Sequence, residues 1–167
     1  MAILQSFAPI CGAKPRVLIL GTMPGKMSLT RQQYYAHPQN AFWRIIGELL
    51  HIDHNDCYEK RVQQLTQKQI AVWDVLQFCV RKSSLDADIE SHSEVPNEIP
   101  QLLRKHPTLR RVCFNGGKAA QLYKRHVLPQ IPPTFREIEY AHLPSTSPAH
   151  AGMRYAEKLA AWRAVLD

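Results

Sequence analysis

Four short blocks of the chain carry residue types that could hold and convert a ligand. The first is Gly21-Thr22-Met23-Pro24-Gly25-Lys26-Met27-Ser28. Two glycines and a proline make a tight loop whose amides can point at an anion. The second is Tyr34-Tyr35-Ala36-His37-Pro38-Gln39-Asn40-Ala41-Phe42-Trp43, four aromatic residues in ten. Rings beside polar amides suit a flat heteroaromatic ligand such as a base, stacked on one face and hydrogen-bonded at its edge. The third, Trp73-Asp74-Val75-Leu76-Gln77, offers an acid, Asp74, for a ligand N–H group or for the backbone of the first loop. The fourth, His142-Leu143-Pro144-Ser145-Thr146-Ser147-Pro148-Ala149-His150, sets hydroxyls and amides ahead of a helix, a phosphate clamp stiffened by prolines.

Each block also has a structural reading. Asn40 precedes a helical pattern and could cap it. Phe42 and Trp43 could be core. Asn115-Gly116-Gly117-Lys118 reads as an N-cap and a close-packed turn, with anion binding as the alternative. The GTMPGK loop fails as a nucleotide phosphate loop. Three residues separate its glycines instead of four, and Lys26 is followed by Met27.

These blocks need a scaffold that brings them together. Apolar runs at 16–20, 70–75, 111–114 and 138–143 read as buried strands. Helical patterns follow Asn40, Asn55, Pro96 and Gly117. A last helix over 152–166 places Tyr155, Leu159, Trp162 and Leu166 on one face. Alternating strand and helix predict a three-layer α/β/α sandwich with a four-stranded, mostly parallel sheet. Ligands in such sheets bind at the carboxyl ends of the strands, where the first, third and fourth blocks and Asn115-Gly116-Gly117-Lys118 fall.

Composition bounds the partners. The 167 residues suit one domain, 1–167, with a buried core. No apolar run approaches the roughly 18 residues of a membrane helix, and no secretory signal is visible, so a cytoplasmic protein is expected. The net charge is +7 and the pI near 9.4. Residues 83–100 hold five acids and no Lys or Arg, so the remainder carries +12. Such a basic surface attracts nucleic acid, and the acidic stretch is expected to point away from it. Cys11, Cys57, Cys79 and Cys113 form no CxxC pair, and the histidines show no HxxxH or HExxH pattern. Neither a metal site nor a cofactor is expected. Cys79 and Cys113 read as small buried hydrophobes.

The blocks LILGTMPG-x₂-S, YYAHPQNAFW, WDV with SSLD downstream, FNGGKAA and LPSTSPAHA together resemble the uracil-DNA glycosylase superfamily. They are most similar to its hypoxanthine (deoxyinosine) DNA glycosylase branch. The AHP-x-N-x-FW stretch is also similar to the mismatch-specific uracil/thymine glycosylases. The resemblance implies an α/β/α domain that flips a deaminated base out of duplex DNA and hydrolyses its N-glycosidic bond. It implies a monomer that needs no cofactor and leaves an abasic site in base excision repair.

Carried over residue by residue, the resemblance points to Asn40 as the catalytic group. It points to Tyr35 as the ring that stacks on the base, and to Gly21, Thr22, Met23, Pro24, Gly25 and Asp74 as base-binding. Ser28, Ser145, Thr146, Ser147, Pro148 and His150 would contact DNA, with His150 or Met153 as the wedge. Two positions depart from the family. Most members have a catalytic Asp or Asn where this chain has Met23, and typical uracil enzymes have a His where it has Ser145. Uracil or G:T/G:U mismatch activity, or a non-catalytic nucleic-acid-binding module, are the alternatives.

Overall fold

The computed structural model describes residues 2–166. Its centre is a four-stranded parallel sheet of β2 (Val17–Gly21), β3 (Ile70–Asp74), β6 (Arg111–Asn115) and β7 (Glu139–Leu143), after a short β1 (Ile3–Gln5). The order is β3-β2-β6-β7. Registers such as Gly21 opposite Asp74 and Asn115 opposite Leu143 bring the strand ends level.

Alternation along the central strands builds the two cores. Leu18 and Leu20 point to one face, with Ala71, Val112 and Phe114. They meet α4 (Ile99–Lys105) and α5 (Gly117–Leu122) through residues such as Leu103 and Leu122. Val17 and Ile19 point to the other face, with Ile70, Val72 and Cys113. They meet α2 (Phe42–Leu50), α3 (Tyr58–Gln67) and α6 (Tyr155–Trp162) through Ile45, Leu65 and Trp162. Covering both faces explains why β2 is buried at every residue. The expected α/β/α sandwich is present, and Cys79 and Cys113 are fully buried.

A second sheet departs from the sequence reading. β4 (Leu76–Val80) lies antiparallel between β1 and β5 (Val95–Pro96). The apolar run from Ile70 to Val80 therefore serves two sheets, with the change of sheet at Val75. The Val75 N–H donates to the Gly21 carbonyl at 2.8 Å, and its own carbonyl accepts the Asn97 N–H at 2.8 Å. Buried Asn97 also donates from Nδ2 to the carbonyls of Asp74 and Leu76. The chain is thus held at the bend and leaves Asp74 as the last residue of β3.

Two helical details also differ. Lys26–Arg31 forms a short α1 inside what reads as a loop. The last helix ends at Trp162 and tightens into a 3₁₀ turn, leaving Leu166 47% exposed instead of on the buried face.

Candidate active site

A cavity of about 450 Å³ opens at the carboxyl ends of β2, β3, β6 and β7. Apart from Met153, the second wedge candidate, every catalytic, base-binding and DNA-binding residue singled out from the sequence lines it. Parallel strands in level register account for this, because each strand delivers its following loop to the same end of the sheet.

The loop after β2 is held by its carbonyls. Those of Gly21 and Thr22 accept the N–H groups of Val75 and Leu76, and that of Pro24 accepts Arg81 Nη2 at 2.6 Å. A trans peptide points each N–H opposite the preceding carbonyl. The amides of Thr22, Met23 and Gly25 are therefore directed away from β4 and Arg81. The Met23 side chain is 7% exposed and belongs to the core. Only its backbone is left for a ligand.

Asp74 forms the floor. It is 4% exposed, and its Oδ2 is buried without a hydrogen-bond partner. Burial pushes its carboxyl up to about 7, the neighbouring Asp86 adds to the rise, and Arg81 opposes it. Near neutrality the group is therefore present in both forms, as a hydrogen-bond acceptor and as an acid that can also donate.

Tyr35 stands beside it in the left-handed region, at φ 55°. A non-glycine residue keeps such a conformation only where its surroundings impose it. Those surroundings are visible. The Trp43 indole donates to the Tyr34 carbonyl at 2.9 Å, the Tyr34 hydroxyl donates to the Ala8 carbonyl, and the Ala36 N–H donates to Ser28 Oγ. The Tyr35 ring stacks on Phe42 at 4.0 Å. Its hydroxyl is buried without a partner. Burial first, and the Asp74 carboxyl second, push its ionisation up and keep it neutral.

Asn40 has two uses available. Its Oδ1 accepts the Phe42 N–H at 2.9 Å, as a capping side chain would. The residue is only half buried and lines the cavity. Phe42 and Trp43 are core, at 0% and 6% exposure.

The loop after β7 is tied down from several sides. Thr146 and Asn115 exchange two hydrogen bonds, Thr146 N–H to Asn115 Oδ1 at 2.9 Å and Asn115 Nδ2 to Thr146 Oγ1 at 3.0 Å. Asn115 is therefore a clamp, and Gly116, at φ 96°, is the residue that caps α5. A side chain at Gly116 would also meet Ser145, with Cβ atoms 3.2 Å apart. The Thr146 carbonyl accepts the Ala41 N–H, which joins this loop to the Asn40 block.

Thr146 is 1% exposed and Ser28 is 6% exposed, and both hydroxyls are engaged inside the protein. The expected DNA contact does not fit these two side chains. Ser145, Ser147, Pro148 and His150 remain at the accessible edge. Met153 lies outside the cavity lining.

Sequence reasoning missed one wall. Ser84, Leu85, Asp86 and Ala87 line the cavity, and Ser84 Oγ accepts the Lys26 N–H at 3.0 Å. The start of the acidic stretch thus borders the site instead of pointing elsewhere. The SSLD motif was the available signal, but summing charge over 83–100 hid it. Further along, Glu94 turns inward to Arg125 and His126.

A stacked ring, a buried carboxyl and a ring of loop amides at the carboxyl edge of a parallel sheet define a pocket for a planar, hydrogen-bonding ligand. The uracil DNA glycosylase superfamily model matches residues 8–166, and the chain belongs to that family. It is 35% identical over 118 residues to the hypoxanthine DNA glycosylase of Methanosarcina barkeri, which covers 70% of this chain and 73% of that protein. It is 36% identical over 120 residues to the hypoxanthine DNA glycosylase of Methanosarcina acetivorans, covering 71% and 75%. A solution NMR structure of a Methanosarcina acetivorans protein, provisionally assigned as a uracil DNA glycosylase, superposes with a TM-score of 0.80 at 29% identity. That match covers 99% of this chain and all of the other.

Proposed function

We propose that the protein is a monofunctional DNA glycosylase that removes hypoxanthine from duplex DNA. The observation that carries this reading is Asp74, a buried carboxyl with an unpartnered oxygen at the floor of a cavity walled by Tyr35. Hypoxanthine presents an N1–H donor next to its O6 acceptor. A protonated Asp74 can accept from the first and donate to the second, as an amide would. The names of the two Methanosarcina relatives support the same substrate.

The base cannot be reached within the stack and is extruded into the cavity, at a cost of a few kcal/mol. It stacks on Tyr35 and pairs with Asp74. Breaking the C1′–N9 bond leaves its electron pair on the base and positive charge on the sugar. The amides of Thr22, Met23 and Gly25 stabilise the base anion. Asn40 orients the water whose oxygen joins C1′. The water gives its proton to solvent, because an amide is not a base, and solvent returns one to the base anion. The products are free base and an abasic site.

Strand cleavage would need an amine at the reacting carbon. Lys158, whose pKa burial lowers, donates to the His150 carbonyl at 2.8 Å and lies outside the cavity lining, and the two lysines that do line it, Lys26 and Lys118, would show themselves by a nicked strand in the excision assay. Uracil carries the same N–H and carbonyl pair on one edge, so it is the second substrate to test. The experiment is a panel of duplexes with hypoxanthine, uracil or xanthine opposite each base. Release of hypoxanthine ahead of the others supports the proposal. Binding without release would make the protein a non-catalytic reader of DNA.

A further inference from the structure

Arg81 follows β4, and its side chain is 0% exposed. Its Nη2 donates to the Pro24 carbonyl at 2.6 Å, while Nε and Nη1 are buried with no hydrogen-bond partner. Asp86 lies at the edge of ion-pair range, with Oδ1 4.0 Å from Nη1 and a side chain that is 42% exposed. Burying a cation is costly unless it is closely paired and fully hydrogen-bonded. Holding one carbonyl does not call for a charge, because a neutral donor can do it. The place of the guanidinium explains the charge. The Pro24 carbonyl and the Gly25 N–H belong to one trans peptide and point opposite ways. Arg81 therefore sits behind the peptide that shows the Gly25 N–H to the cavity, and it does not line the cavity itself.

We propose that Arg81 is the positioning residue of base release, holding the Pro24–Gly25 peptide from behind and placing a buried positive charge behind the loop that receives the departing base, an inference that rests on the glycosylase reading. A hydrogen bond to the carbonyl polarises the peptide and makes its N–H a stronger donor. A fixed charge in a water-excluded site needs no reorganisation as negative charge reaches the base. The same cation bears on Asp74. Arg81 favours the ionised carboxylate, whereas burial and Asp86 disfavour it. The Tyr34 and Tyr35 hydroxyls sense the same carboxyl and are kept neutral by burial, and Lys118 acts on Asp86. Loss of the cation should thus slow base release and let Asp74 keep its proton to higher pH. A packing defect would slow release without that upward movement.

The measurement is single-turnover excision by the full chain of whichever deaminated base the wild type removes, followed against enzyme concentration and across pH. It is made for wild type, Arg81→Lys, Arg81→Gln and Arg81→Met, with chemical denaturation to confirm folding. The neutral variants should lose about tenfold or more in maximal rate. Their half-saturating concentration should stay within about twofold of wild type, because Arg81 lines no part of the cavity. Their decline with rising pH should come later than in wild type. Arg81→Lys keeps the charge without the planar fork, so it should keep the wild-type pH profile and an intermediate rate. Wild-type rates in the neutral variants would overturn the positioning role alone. So would a loss with an unmoved pH decline, or one that Arg81→Lys shares in full. Failure of both neutral variants to fold would make Arg81 a folding residue and overturn it too. A wild type that excises no deaminated base would overturn the glycosylase reading and this role with it.

Discussion

Asp74 lies so close to Gly21 that a Cβ on Gly21 would stand 2.6 Å from Asp74 Oδ1. The same atom would be 3.0 Å from the Tyr35 hydroxyl. Glycine at the end of β2 is what allows the carboxyl and the ring to share one floor. Gly21→Ala should displace both groups and destabilise the fold by about 1–3 kcal/mol, the usual cost of overpacking. Excision should fall further than the lost stability explains. Chemical denaturation and single-turnover rates on the same preparation test this, and wild-type excision in a folded Gly21→Ala protein would refute it.

The pH dependence follows from Asp74. Its carboxyl titrates at about 7 in the folded protein against an ordinary 3.8. Between those values the folded state holds a proton that the unfolded state has lost, so this group makes stability fall as pH rises from about 4 to 7. Above 7 the ionised carboxylate can no longer donate to the base and repels its developing negative charge. Burial is the main cause of the shift; Asp86 adds to it and Arg81 opposes it. Excision should therefore decline as pH rises through about 7. Asp74→Asn, which cannot ionise, should remove both trends and keep activity at neutral pH. Parallel pH profiles of the two proteins would reject the assignment.

Tyr35 separates ring from hydroxyl. The hydroxyl is buried without a partner, so Tyr35→Phe should fold at least as well as wild type and retain most activity. Tyr35→Ala removes a stacking surface worth about 1–3 kcal/mol per base, which is roughly 5- to 150-fold in rate. Equal damage from Phe and Ala would show that the hydroxyl matters and the stacking does not.

Salt dependence locates the DNA. Each phosphate neutralised by Lys or Arg contributes about −0.9 to the slope of log affinity against log salt. Lys26 lines the cavity, whereas Lys68 is an exposed residue at the end of α3, at the amino edge of the sheet. Lys26→Ala should flatten the slope on duplex DNA by about one unit, and Lys68→Ala should leave it unchanged. The reverse result would place the DNA on the other side of the sheet.

The layered fold and the loops at the strand ends were legible because β2 and β6 are apolar runs bounded by glycine and polar turns. The second sheet was not, because β1 and β5 are only three and two residues long and β4 follows β3 after a single residue. The residue types of the cavity could be read from sequence, but the partners that hold them could not. Asn115 and Thr146 are 31 positions apart, and Arg81 reaches the Pro24 carbonyl across 57. Ser28 and Thr146 looked like DNA contacts because a hydroxyl's type says nothing about which backbone amide or side chain it meets.

The central claim is that Asn40 positions the water that attacks the sugar–base bond of a deaminated nucleotide. The direct measurement is the rate of free hypoxanthine release from a duplex under single turnover, for wild type and Asn40→Ala. Losing one positioned polar group at a reacting centre should slow release by about 10²-fold or more. Because Asn40 Oδ1 also accepts the Phe42 N–H, the variant should lose about 1 kcal/mol of stability and remain folded. Wild-type release with a folded, nearly inactive Asn40→Ala is the predicted result. No release by the wild type, or equal rates for the two proteins, would contradict it.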